Sequence, residues 1–193
     1  MQEKVKTIYL EITANDRFLF KEGFLEKMEV REIENDAYIS FILFAGVGLP
    51  WRWHSRLNWT MQEWKEYFSP GRTKTFLGFS GNILAGYYEL IFEEDGNAEI
   101  KFFGILPAYL GKGFGGMLLS HAVKSSFDNG ATRVWLHTCS KDSKNALGNY
   151  LARGFRIFRE EEKLELVPEK KELIKMVSLF YTRYMDYFTG IGG

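Results

Sequence analysis

Between Gly111 and Gly116 the chain reads GKGFGG, four glycines in six residues, with Pro107 upstream and an apolar, helix-like run downstream. Bare backbone at the mouth of a helix suits a phosphate, because the first N–H groups are unpaired and the dipole's positive end points outward. Gly111, Gly113 and Gly116 fit the dinucleotide pattern G-x-G-x-x-G. That pattern belongs on the first strand of a βαβ unit, with an acidic ribose partner about 20 residues on. Here the glycines come late, and the following strand TRVWLHTC ends in no acidic residue. A P-loop fails, since no Lys-Ser or Lys-Thr pair closes the motif. Glycines that merely end a loop and allow close packing are the remaining alternative.

Other side chains could move protons. Glu99 lies in EIKFF and Glu89 in YYELIF. A carboxylate whose pKa is raised by apolar surroundings can take a proton from an amine, whose own pKa is about 10.4 in a lysine. Strand alternation places Glu99, Lys101 and Phe103 on one face and Ile100 and Phe102 on the other. A solvated carboxylate paired with Lys101 is the alternative for Glu99. Tyrosine, with pKa about 10, keeps a proton it can give to a leaving group; Tyr150 is the candidate. Cys139 and His137 share a strand face, but a small buried thiol is the expectation for Cys139. Three histidines and one cysteine offer no metal-site spacing.

These residues must be positioned by one core. With 193 residues, 46% apolar and 17% aromatic, the chain can bury a substantial single domain. Lys plus Arg equals Asp plus Glu at 25 each, which gives no reason to expect a nucleic-acid partner. No run approaches the roughly 18 apolar residues of a membrane span, and one cysteine suits a reducing compartment, so a cytoplasmic protein is expected. KVKTIYLEI alternates as a strand over about 5–12, and MEVREIE does so again. Asn35 and Asp36 can cap a helix through AYISFILFAG, and Thr60 with Glu63 forms a capping box for a second. Three antiparallel strands follow, with turns at Ser80–Asn82 and in EEDGNA. The glycine helix, TRVWLHTC, a short helix SKNALGNYLARG and a strand FRIFREEEKLELV come next. A tail helix over about 169–188 carries Leu173, Val177, Phe180, Tyr184 and Phe188 on one stripe, and the closing GIGG is expected to fray. A single α/β (α+β) domain over 1–193 is the result, with a mixed, largely antiparallel sheet.

IKFFGILPAYLGKGFGG with its helix resembles motif A of the GNAT acetyltransferase superfamily: Gln or Arg, two residues, Gly, one residue, then Gly or Ala. Gly113 and Gly115 hold the last two places; Leu110 stands where Gln or Arg is usual. ALGNYLARGF is similar to the superfamily's later motif, a Tyr helix with Gly-Phe four residues on, here Tyr150, Gly154 and Phe155. Ser143 stands where the family often has Asn. The order of elements agrees over roughly residues 28 to 167.

The resemblance implies acetyl-CoA as cosubstrate and an amine as acceptor, in direct attack within a ternary complex and with no metal. It implies a sheet splayed beside the strand before the glycines, whose N–H groups around Phe103, Gly104 and Ile105 face the thioester. Gly111, Lys112, Gly113, Phe114, Gly115, Gly116, Ser143 and Tyr150 would complete the cofactor site, with Tyr150 as acid. Glu99 occupies the register of the glutamate base in the family's histone acetyltransferases; Glu89 or a water chain are the alternatives. Trp51, Trp53, Arg56 and Glu89 would border the acceptor, a small or hydrophobic amine, while Trp59 and Trp64 anchor the loop. A protein or peptide N-acetyltransferase and a non-catalytic acyl-CoA sensor are the rivals. A monomer or a homodimer is expected, the tail helix being the possible contact.

Overall fold

The computed structural model describes residues 2–21 and 28–189. The strands are β1 (Gln2–Thr13), β2 (Glu29–Ile33), β3 (Thr73–Ser80), β4 (Ile83–Phe92), β5 (Asn97–Ile105), β6 (Arg133–Cys139) and β7 (Arg156–Leu166). The helices are α1 (Ala37–Gly48), α2 (Met61–Phe68), α3 (Phe114–Asp128), α4 (Ala146–Leu151) and α5 (Lys170–Thr189). Both expected caps form. Asp36 accepts from Ile39 N–H, and Thr60 and Glu63 bond reciprocally in a capping box.

Among the described residues one sheet runs in the order β2-β3-β4-β5-β6-β1-β7. Every neighbouring pair is antiparallel except β5 with β6. The N-terminal strand is no appendage: β1 lies between β6 and β7 and buries Leu10 and Ile12 completely. Its alternation shows which residues face inward, but nothing local says which strands it will join.

Two apolar layers sandwich the sheet. On one face α3 packs Leu118, Leu119, Ala122 and Val123 against Leu90, Ile100, Val134 and Leu136. On the other, α1 contributes Phe41 and Phe44, with Trp64 from α2 and Leu173 and Phe180 from α5. The Phe41 and Phe180 rings stack, so the apolar stripe of α5 is covered within the chain. The Phe188 side chain and residues 190–193, where fraying was expected, lie outside the described part.

Two irregularities of β5 open the sheet and set its faces. The strand pairs with β4 out to Ile105, but with β6 only at Asn97, Ala98 and Glu99. The two strands then part, as expected for the splay. A register shift against β4 pairs Leu90 with Ile100 and Glu89 with Phe102, leaving Lys101 without an opposite residue. This bulge reverses the alternation beyond it. Ile100 and Phe103 therefore both pack toward α3, whereas Phe102 packs among the α1 side chains. Phe103 thus leaves the face it was expected to share with Glu99 and Lys101, which stay hydrogen-bonded to each other. Gly104 is not the bulge; a Cβ there would stand 2.2 Å from Val47 Cγ1, so the bare position admits α1.

Candidate active site

A cavity of about 980 Å³ opens where β5 and β6 part. At one end its wall is Gly111, Gly113, Gly115 and Gly116, and Phe103, Gly104, Ile105, Ser143 and Tyr150 continue it. Trp51, Trp53 and His54 line it as well, together with His137 and Cys139 of β6 and Tyr9 of β1. Most of the cofactor residues expected from sequence, scattered over 48 positions from Phe103 to Tyr150, thus share one wall.

The glycine loop turns through left-handed backbone at Gly111 (φ 75°) and Gly113 (φ 86°), the latter capping α3. No side chain caps this helix end, so its first N–H groups keep free donor capacity. Along β5, Leu106 N–H donates to Ala85 O of β4 at 2.8 Å. By strand alternation the N–H groups of Phe103 and Ile105 point the other way, into the opening. Two sets of donors therefore face one cavity.

Tyr150 packs edge-on to Phe103, ring centroids 6.1 Å apart, and is 7% exposed. Burial, and next the charge of Asp142, push its phenol well above the usual value, so it keeps its proton at neutral pH. Asp142 itself is fully engaged. It accepts from Trp53 Nε1 at 3.1 Å, Thr138 Oγ1 at 2.8 Å and Cys139 N–H at 2.9 Å. It ties the tryptophan loop to the end of β6, a role no spacing in the sequence announces. Arg52, in left-handed backbone (φ 63°), anchors the same loop to Glu3 Oε1 at 2.8 Å and Pro168 O at 2.9 Å.

Several expected site residues stand elsewhere. Arg56 and Glu89, 3% and 1% exposed, bond each other at 3.0 Å and are absent from the cavity wall. Tyr67 Oη also donates to Glu89. The guanidinium is boxed by Tyr67 at 4.0 Å, Phe102 at 4.3 Å, Trp59 at 4.6 Å and Trp64 at 5.2 Å. Opposite charges taken out of water must satisfy one another, which is why neither lines the cavity. Trp59 and Trp64 anchor this box, as expected of them. Glu99 is 4% exposed, sits behind the wall and binds Lys101 Nζ at 3.2 Å; burial raises its pKa against the opposing pull of Lys101. Lys112 lies over the Tyr109 ring at 5.0 Å, and neither it nor Phe114 lines the cavity. Cys139, expected to be buried, is half-buried and on the wall, with its thiol pKa raised by burial.

An open mixed sheet parted beside a glycine-headed helix defines a fold of the GNAT type. The Acetyltransferase (GNAT) family model matches residues 27–155, and the chain belongs to that family. Two curated relatives, from Mycobacterium bovis and Mycobacterium tuberculosis and each described as an uncharacterized N-acetyltransferase, are 29% identical over 100 residues. The match covers 52% of this chain and 64% of theirs, under two thirds of the relatives' length. Among solved structures, a GCN5-related N-acetyltransferase from Sphaerobacter thermophilus superposes with TM-score 0.60 at 16% identity, covering 84% of this chain and 53% of that one. A Bacillus subtilis acetyltransferase in complex with CoA superposes with TM-score 0.54 at 21% identity, covering 69% and 79%.

The Arg56–Glu89 pair supports the site from behind, so breaking it should cost stability. Arg56→Met strands a buried carboxylate and is expected to lower unfolding free energy by about 3–5 kcal/mol in urea titration. A loss under about 1 kcal/mol would show that the pair is no buried brace.

Proposed function

We propose that the chain is an acetyl-CoA-dependent N-acetyltransferase that lets a primary amine attack the thioester directly in a ternary complex. The observation that carries this reading is the single cavity joining the glycine loop, the free edge of β5 and Tyr150. Acetyl-CoA supplies an acyl group already activated as a thioester; the chain's own residues supply position and protons. The amides of residues 111–116 hold the pyrophosphate. The N–H groups of Phe103 and Ile105 donate to the thioester oxygen as negative charge builds on it. Tyr150 gives its proton to the departing thiolate.

The amine must also lose a proton, and Glu99 and Glu89 stand behind the cavity wall. His137 is on the wall, two residues past the last β5–β6 pair at Trp135. Burial lowers its pKa, helped by Lys101 and opposed by Asp142, Glu161 and Glu165; Tyr9 is its ring neighbour at 5.8 Å and Cys139 shares its face. Of the bases on this wall, which also include His54, Glu161 and Glu165, the His137 imidazole, kept neutral at pH 7, is taken as the proton acceptor in place of the glutamate expected from sequence. Trp51 and Trp53 suit an acceptor that is cationic or carries an apolar group.

Release of the CoA thiol over a panel of amines tests the reading; binding without turnover would instead favour an acyl-CoA sensor. Tyr150→Phe is expected to slow single-turnover transfer by roughly 100-fold or more while acetyl-CoA affinity stays within a few-fold; an unchanged rate would remove Tyr150 from the chemistry. His137 must be neutral to act, so kcat/KM should rise with pH through a limb centred below the ordinary imidazole value of 6.5. His137→Gln should abolish that limb and lower the plateau, and a surviving limb would take the role from His137.

A further inference from the structure

The family match begins at residue 27, yet a lysine ahead of it reaches the glycine loop. After β1 the chain crosses the α4 and α3 ends. Leu19 N–H donates to Arg153 O at 3.1 Å, and Lys21 N–H donates to Ser120 Oγ at 3.0 Å. Ser120 is fully buried, and its hydroxyl donates in turn to Gly116 O at 2.9 Å. The Lys21 backbone is thus tied to the first turn of α3.

Its side chain lies across the loop. Lys21 Cδ is 2.8 Å from where a Cβ on Gly116 would stand, and Nζ is 3.3 Å from the same point on Gly113. The bare positions therefore make room for a cation as well as for a ligand. Lys21 shares the cavity wall with Gly111, Gly113, Gly115 and Gly116, and no ion pair engages it among the described residues. Other cations stand nearby: Lys112 sits over Tyr109, Lys144 lines the same cavity, and Arg153, whose Nε donates to Ala152 O, brings Nη1 to 3.6 Å from the Cβ point on Gly116 without lining the wall. Leu110, 45% exposed, puts an apolar side chain where the family motif carries Gln or Arg.

We infer that Lys21 binds a phosphate of acyl-CoA, supplying from outside the family motif the polar contact that Leu110 removes. The inference rests on the acyl-CoA reading of the site. An ammonium group beside the open amides of a helix N-terminus forms a charge-assisted bond to a phosphate oxygen, and both favour the same anion. Coenzyme A offers that chemistry twice, in its pyrophosphate and in its 3′-phosphate.

Calorimetric titration of the full chain with acetyl-CoA, its 3′-dephospho form and phosphate-free S-acetylpantetheine separates the sources. Lys21→Met is expected to weaken acetyl-CoA binding roughly tenfold to a hundredfold, the worth of one hydrogen bond to a charged group. Lys21→Arg should restore most of it. S-acetylpantetheine should bind Lys21→Met and wild type alike. An equal loss on acetyl-CoA and the dephospho form assigns Lys21 to the pyrophosphate; a loss confined to acetyl-CoA assigns it to the 3′-phosphate. Unchanged acetyl-CoA affinity in Lys21→Met overturns the inference, as does an equal loss on the phosphate-free thioester. A wild-type chain that does not bind acetyl-CoA overturns the acyl-CoA reading itself, and this inference with it.

Discussion

Beyond Glu99, β5 keeps its partner on one side and loses it on the other. A strand edge inside a sheet is costly, because its N–H and C=O groups forgo the ladder, and it persists only where something else satisfies them. The bulge at Lys101 falls just past the last β5–β6 pair, so the strand twists as the neighbours separate. It also sends Phe102 to the α1 layer and Phe103 to the α3 layer, where each meets an aromatic neighbour: Trp53 at 5.4 Å and Tyr150 at 6.1 Å. The opening is therefore walled by packed rings on both faces, and it stays accessible to a ligand that can use the free amides.

The tryptophan side of the cavity is held by charged groups bonded within the chain. Asp142 fixes Trp53 from the β6 end, Arg52 fixes the neighbouring backbone to β1 and the segment after β7, and Arg56 with Glu89 braces the loop from within the second core. Each is a hydrogen-bonded group whose removal would leave a partner unsatisfied. Such bracing gives loop-borne aromatic side chains definite positions beside the site, which a loop alone would not.

What could be read from the sequence was what is written locally. The capping box at Thr60 and Glu63, the glycines ahead of α3 and the Tyr150–Gly154–Phe155 spacing each act within a few residues, and each stands where expected. The misreadings are all non-local. One unpaired residue at Lys101 reversed the faces of β5, and that depends on β4. Arg56 and Glu89 looked like ligand-binding charges until the fold joined them across 33 positions. Lys21 and the slot taken by β1 depend on where the N-terminal segment crosses the sheet, which alternation cannot reveal. His137 was legible as a strand residue sharing a face with Cys139, but its place beside the opening is set by where β5 and β6 separate.

The central claim is that the free edge of β5 and the glycine loop bind one ligand together. Amide hydrogen exchange, with and without saturating acetyl-CoA, addresses it residue by residue. The account predicts slowed exchange at Phe103 and Ile105 together with residues 111–116, and little change at the β5 residues already paired with β6. Protection confined to other parts of the sheet, or none at these amides under saturating ligand, would contradict it.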